Sequence, residues 1–255
     1  MKILLVNDDG YAARGIGILT KVLAGRHEVY IAAPDRQRSA VGRAMTLTEP
    51  LTATRVTQPF APEVPCHAVS GYPVDCLRLA LGNLYPWPDM VISGINHGEN
   101  HGTDTLYSGT VGAAAEAAMA GIPAIAVSLT SYEDQRHFDT AAVLAMRLAE
   151  RLNAHPLRHG TVLNLNVPDL AMDALAGIRE APLAVITYAM PYTRVTLPDG
   201  TEGYLAPIDA RTSDNSGLDV DERWTHEGYA TVTALTYDLT DRNGLDGLSL
   251  SGLTD

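Results

Sequence analysis

Two adjacent carboxylates, Asp8 and Asp9, follow directly on the apolar run at residues 3–6, with Asn7 before them and Gly10 after. A buried strand end shields such a pair from water, so the two repel unless a cation lies between them or the turn is fully solvated. Two more segments place oxygen donors after apolar runs: Pro34-Asp35-Arg36-Gln37-Arg38-Ser39 and Ser93-Gly94-Ile95-Asn96-His97-Gly98. Carboxylate, hydroxyl and amide oxygens with no cysteine among them suit a hard divalent cation, Mg²⁺ or Mn²⁺. A solvated turn would carry the same aspartates, and Ser39 or Asn96 taken alone says little.

A fourth segment, Tyr107-Ser108-Gly109-Thr110-Val111-Gly112, leads into an alanine-rich stretch. Ser108 is a good N-cap, and the amides of a first helical turn have no carbonyl partners inside the helix. Together with the Ser108 and Thr110 hydroxyls and the helix dipole they form an anion site. A capped helix without a ligand is the plainer alternative; a neighbouring metal tips the balance towards phosphate. His97 and His101 flank Asn100 in a glycine-rich loop, and an ordinary imidazole could protonate a leaving alkoxide. A loop histidine is more often merely a surface residue.

The elements that must position these groups read as α/β. Strands are expected at 3–6, 29–33, 66–70, 90–93, 124–129 and 161–167, with helices at 15–23, 74–81, 113–120 and 138–152. The first β-turn-α-β argues for a parallel sheet with right-handed crossovers, and ligands bind beyond the carboxyl ends of such strands. Residues 46–65, rich in Thr and Pro, read as short strands or an irregular hairpin. After residue 182 the style turns to strands at 185–188, 193–197 and 230–235, separated by turns such as Asp199-Gly200. The expected organisation is a core over 1–181 and a β-rich extension over 182–255.

The totals set bounds. At 255 residues the chain can form one large domain or a domain with an appendage. A net charge of −12 disfavours nucleic acid and anionic membranes as partners, although a bound cation can reverse the sign locally. No apolar run approaches the roughly 18 residues of a membrane span. The N-terminus lacks the features of a signal peptide, so the cytoplasm is the expected location. Cys66 and Cys76 form no metal-ligand pattern and read as buried thiols in a reducing compartment.

Other phosphate-handling folds also begin with a strand and acidic residues. Haloacid-dehalogenase phosphatases and response-regulator receivers both need a lysine from a later loop, and the only lysines here are Lys2 and Lys21. There is no GxxxxGK[ST], GxGxxG or GxSxG signature. With no covalent nucleophile indicated, metal-assisted attack of water on a phosphomonoester is the simplest chemistry, with Asp8 or Asp9 orienting the water.

ILLVNDDG, APDRQRS, SGINHGEN, YSGTVGAAAEA and VLNLNVP, in this order, resemble the SurE family of 5′-nucleotidases, over residues 1–168. VSGYPVDCL resembles that family's GTPADC segment, with Tyr72 where Thr is usual; the departure bears on the substrate pocket, not on the metal set. The resemblance implies a three-layer α/β/α Rossmann-like fold and one divalent metal cation per subunit (Mg²⁺ or Mn²⁺), held by Asp8, Asp9, Ser39 and Asn96. It implies a phosphate cradle of Ser108, Gly109 and Thr110, with Asn7, Gly10 and Asn100 assigned to the same phosphate and substrate set. Asp8, Asp9 and Asn96 are the expected catalytic residues, and His97 and His101 the candidates for a general acid. The implied substrate is a nucleoside 5′-monophosphate, with 3′-nucleotides and short polyphosphate as further substrates. The alternatives are a broad phosphatase on non-nucleotide esters and a nucleotide-sensing protein without turnover. The extension is expected to be exchanged between subunits of a homodimer or homotetramer and to return in part to the core.

Overall fold

The computed structural model describes residues 1–131, 137–206 and 211–241; within the expected extension, 207–210 and 242–255 lie outside the described residues. Strand β1 (Lys2–Val6) is apolar from Ile3 onward because both of its faces are covered. Ile3 and Leu5 pack with Ile16, Leu19 and Leu23 of helix α1 (Arg14–Ala24), whereas Leu4 and Val6 join the opposite layer. Beside β1 runs β2 (Glu28–Pro34), followed by β3 (Ala53–Val56) and β4 (Cys66–Val69). Helix α2 (Pro73–Leu79) continues into a wider π turn over Ala80–Leu84, and leads to β5 (Met90–His97). A 3₁₀ turn at Gly102–Leu106 precedes α3 (Gly109–Met119), β6 (Ala124–Thr130), α4 (Phe138–Ala154) and β7 (Thr161–Pro168). The chain ends with β8 (Gly177–Glu180), the hairpin β9 (Thr193–Thr196) and β10 (Glu202–Leu205), α5 (Asp221–His226) and β11 (Tyr229–Thr236).

The main sheet has nine strands in the order β3-β4-β2-β1-β5-β6-β7-β11-β8. β4, β2, β1, β5, β6 and β7 are mutually parallel, and β3 and β11 run antiparallel to β4 and β7. Helices α1 and α4 cover one face and α2 and α3 the other, giving the expected three-layer α/β/α arrangement. β2 and β5 leave β1 in opposite directions, so the topological switch point lies at the carboxyl end of β1.

Several expectations are corrected. β5→β6 and β6→β7 step the same way across the sheet, yet α3 and α4 lie on opposite faces. The β6–α4–β7 crossover therefore has the opposite hand to β5–α3–β6, against the usual preference. Alanine-rich α3 already lies across β5, β6 and β7 on its face, and the stripe Phe138, Ala141, Ala145 and Leu152 of α4 finds α1 on the other. Residues 94–97, read as loop, belong to β5 beyond an irregularity between Ser93 and Asn96. Among the described residues, 185–188 form no strand: Tyr188 makes an isolated bridge to Arg211, and side chains such as Thr103 and Asn215 take up backbone groups of this stretch. Helix α5, with polar DERWTH, and strand β8 were absent from the expectation because neither has a periodic apolar run. β11 is inserted between β7 and β8, within the main sheet.

Candidate active site

Asn7, fully buried, shapes the turn that presents the two carboxylates. Its Nδ2 donates to the Gly10 carbonyl (2.9 Å) and its Oδ1 accepts the Gly10 N–H (3.2 Å). Gly10 has φ +99°, a region that side chains rarely adopt. Asn7 and Gly10 thus act here on the turn itself. Asp8 is only 4 % exposed. Thr110 Oγ1 donates to its Oδ1 (2.7 Å) and the Thr110 N–H to its Oδ2 (3.2 Å). Asp9 Oδ2 accepts the His97 N–H (3.0 Å). Burial pushes both carboxyls up to about 6, and for Asp8 the neighbouring charge of Asp9 adds to the rise.

Among the described residues no Lys or Arg pairs with either carboxylate. Arg38, whose backbone N–H donates to the Asp8 carbonyl (2.7 Å), turns its guanidinium instead to the Ser70 carbonyl (2.7 Å) and over the Tyr72 ring. Tyr72 is the N-cap residue of α2, its N–H donating to Asp75 Oδ2 (2.9 Å). Two desolvated carboxylates without a cationic side chain fit a bound metal ion, and the remaining donors agree. Asn96 Nδ2 donates to the Gly98 carbonyl (2.8 Å), which leaves Oδ1 outside that bond. Ser39 Oγ accepts from Gln37 Nε2 (3.0 Å) in an exposed position. Among the described residues no three of His, Cys, Asp and Glu gather as a metal group, so the hydroxyl and amide oxygens are needed to complete the set.

Asp8, Ser39, Asn96, His97, Asn100 and Ser108 border one cavity of about 680 Å³. Ser108 caps α3, its Oγ accepting the Val111 N–H (3.1 Å), which leaves the hydroxyl proton available. The helix end is already engaged by an anion, because the Thr110 amide and hydroxyl both go to Asp8. Gly109 permits this approach: a Cβ there would lie 3.0 Å from Asp8 Cβ and 3.1 Å from Pro73 Cγ. Gly109→Ala is expected to displace Asp8 and lower kcat/KM about a hundredfold with little change in Tm; steady-state kinetics with a thermal melt checks it.

Asn100 is clamped from two strands. Its Nδ2 donates to Ser128 Oγ (2.7 Å), its N–H to Asn166 Oδ1 (2.9 Å), and its carbonyl accepts from Asn164 Nδ2 (2.8 Å) and Asn166 Nδ2 (3.1 Å). Alternating inward asparagines in a buried strand were the signal for these supporting residues, which single-residue chemistry passes over. His97 packs against Phe138 with the rings tilted by 49°, and its Nε2 is buried without a partner among the described residues. Burial holds it below the ordinary imidazole value. His101 does not border the cavity. It is 1 % exposed, bonded through Nε2 to Thr225 Oγ1 (3.0 Å), and burial pushes it down to about 3. That position argues against the general-acid role expected for it.

The fold and the cavity define a doubly wound α/β protein with paired carboxylates beside a helix N-terminus at its switch point. The family model for survival protein SurE matches residues 3–190. Proteins called 5′-nucleotidase SurE align over nearly the whole chain. The one from Synechococcus elongatus is 42 % identical, covering 97 % of this chain and 98 % of its own, and the one from Geotalea uraniireducens is 41 % identical over all of both. The crystal structure of SurE protein from Aquifex aeolicus superposes with a TM-score of 0.82 at 31 % identity, covering 100 % of both chains. The chain belongs to the SurE family.

Proposed function

We propose that this chain hydrolyses nucleoside 5′-monophosphates to nucleoside and inorganic phosphate with the help of one divalent cation, Mg²⁺ or Mn²⁺. The observation that carries the reading is the pair Asp8 and Asp9, both raised to about 6 and with no basic partner among the described residues, beside the first turn of α3. Relatives called 5′-nucleotidase, alike over the full chain, support the substrate class. Asp8, Asp9, Ser39 and Asn96 would hold the cation. When bound, it would neutralise the two carboxylates and polarise a phosphoryl oxygen. Ser108 offers its hydroxyl proton to a phosphoryl oxygen, and Thr110 keeps Asp8 in place. Burial keeps the His97 imidazole below its ordinary value, so it borders the cavity as a neutral polar group.

Exhaustive dialysis against EDTA should abolish phosphate release from AMP, and added Mn²⁺ or Mg²⁺ should restore it. Undiminished turnover after chelation overturns the metal, and no release with any metal makes the chain a binding protein only.

The proposed assembly is a homodimer or homotetramer built through the extension over 182–255. Leu197, Tyr204 and Leu205 of the β9–β10 hairpin are exposed and apolar, as a surface awaiting a second subunit would be. β11 belongs to the core sheet, so truncation after residue 182 would damage the core; light scattering of the intact chain is the sound test, and a monomer mass would refute the assembly. No described helix is long and apolar enough to cross a membrane. Cys66 and Cys76 are free and buried, in keeping with a cytoplasmic setting.

A further inference from the structure

Helix α5 supplies Asp221, a fully buried carboxylate that does not itself border the cavity. Its two oxygens have different duties. Oδ1 accepts the Ala184 N–H (2.8 Å) and the Glu222 N–H (2.9 Å), while Oδ2 accepts the Gly102 N–H (2.9 Å). The Asp221 N–H in turn donates to the Pro182 carbonyl (2.9 Å). Burial raises the carboxyl above its ordinary value, and the N–H donors oppose that rise. Among the described residues no Lys or Arg pairs with it. A buried carboxylate held by backbone amides alone fixes where those amides lie, because each lost donor leaves it poorly compensated.

The Gly102 side of this junction leads into the site. Asn100 and Ser108, on either side of the 3₁₀ turn Gly102–Leu106, both border the cavity. A second bond joins α5 to the same segment, between Thr225 Oγ1 and His101 Nε2 (3.0 Å). Gly102 packs so closely that a Cβ there would run into the Ala184 carbonyl oxygen. Thr103 Oγ1 donates to the Ile186 carbonyl (2.7 Å) and accepts the Ile186 N–H (3.0 Å). Residues 101–103 are thus tied one by one to later parts of the chain, across 83 to 124 positions of sequence.

We propose that Asp221 is a positioning residue for phosphomonoester hydrolysis, setting the segment 100–108 so that Asn100 and Ser108 stand correctly around the phosphoryl group. This deepens the reading given under Proposed function and rests on it. Asp221→Asn separates the two duties. The single amide oxygen pairs best with the side that offers two donors, Ala184 and Glu222, which turns the NH₂ towards the Gly102 N–H. The bonds to 184 and 222 stay, and Gly102 is released.

The test measures phosphate release from AMP, its inhibition by inorganic phosphate, and the Tm with and without Mn²⁺. Asp221→Asn should lower kcat/KM about ten- to a hundredfold and raise Ki for phosphate about tenfold. Its Tm should stay within a few degrees of wild type. The Tm rise on adding Mn²⁺ should be kept, because Asp8, Asp9, Ser39 and Asn96 lie on other segments. Thr225→Val, which removes the bond to His101, should shift the same constants in the same direction by less. Thr233→Val is the control, since it removes a buried bond away from this segment, from Thr233 Oγ1 to the Ala181 carbonyl (2.8 Å). It should lower the Tm and leave both constants unchanged. Wild-type constants in a folded Asp221→Asn, equal losses in Thr233→Val, or loss of the Mn²⁺ response in Asp221→Asn overturn the positioning role. If Asp221→Asn gives no cooperative melt, Thr225→Val decides: a loss in its constants supports the role and wild-type values overturn it. A wild type that releases no phosphate from AMP with any metal overturns the underlying hydrolase reading itself, a failure distinct from the others.

Discussion

Asp8→Asn is expected to lower phosphate release about a hundred- to a thousandfold while making the metal-free protein more stable at neutral pH. The two effects share one cause. The Asp8 carboxyl rises from 3.8 to about 6 in the folded chain. A carboxyl raised on folding holds its proton better in the folded state than in the unfolded one. Its penalty is therefore absent below the unfolded value, grows as pH rises through the interval, and is complete above about 6. At neutral pH a rise of that size corresponds to roughly 3 kcal/mol against folding. Asparagine removes the penalty but accepts the two Thr110 bonds less well, a loss of about 1–2 kcal/mol. A net gain of about 1 kcal/mol is a Tm rise of roughly 2–4 °C for a chain of this size. Melts at pH 7.5 and at pH 4 check the sign: the rise should be present at the first and gone at the second. Asp9→Asn should lose activity similarly. Added Mn²⁺ should raise the wild-type Tm and leave either variant unmoved. Full activity in either variant, or a lower metal-free Tm for Asp8→Asn at pH 7.5, would refute the assignment.

Gly94→Ala should prevent the chain from reaching its folded state in useful yield. Gly94 has φ +140°, and a Cβ there would run into the carbonyl oxygen of Val127 on β6. Its next neighbours are the Val127 carbonyl carbon and Cβ, both at 3.2 Å, so nothing nearby is a flexible side-chain tip. Either β5 and β6 part or the residue takes a strained backbone, at about 3–5 kcal/mol out of a total stability of about 5–15. The measurement is the soluble yield and the presence of a cooperative melt. Gly25→Ala is the control: nothing lies within 4 Å of its Cβ position and φ is −67°, so that variant should be neutral or slightly more stable. A cooperative Gly94→Ala melt within a few degrees of wild type would show that the strands give way easily. Gly94 matters to the site because it sits in the irregular stretch of β5 between Ser93 and Asn96. Asn96 and His97 follow it along the same strand to the cavity.

Much of this was legible in the chain, because each signal was local. Apolar runs such as ILLV and AIAV mark strands buried on both sides, and Ser108 ahead of an alanine-rich stretch marks a capped helix start. Asp8 and Asp9 announce themselves by adjacency alone, since like charges at a strand end require an explanation. The hairpin turn at Asp199-Gly200 was also readable, with Gly200 at φ +85°. What the residues could not convey was which partner each polar group would choose.

Thr110 reads as a phosphate ligand and is bonded to Asp8. His101 reads as a loop acid and is buried against Thr225. Asp221 shows no sign in sequence that it ties residues 102 and 184 together. By itself the sequence determined the layered α/β class, the carboxylate pair and the capped helix, because propensity, periodicity and like-charge repulsion act over a few residues. Only the tertiary structure decided the hand of the β6–α4–β7 crossover, the place of β11 in the sheet and the two bonds from Thr110 to Asp8. Those depend on contacts between segments about 50 or more residues apart in sequence, where competition for a face or a hydrogen-bond partner is settled by the whole chain.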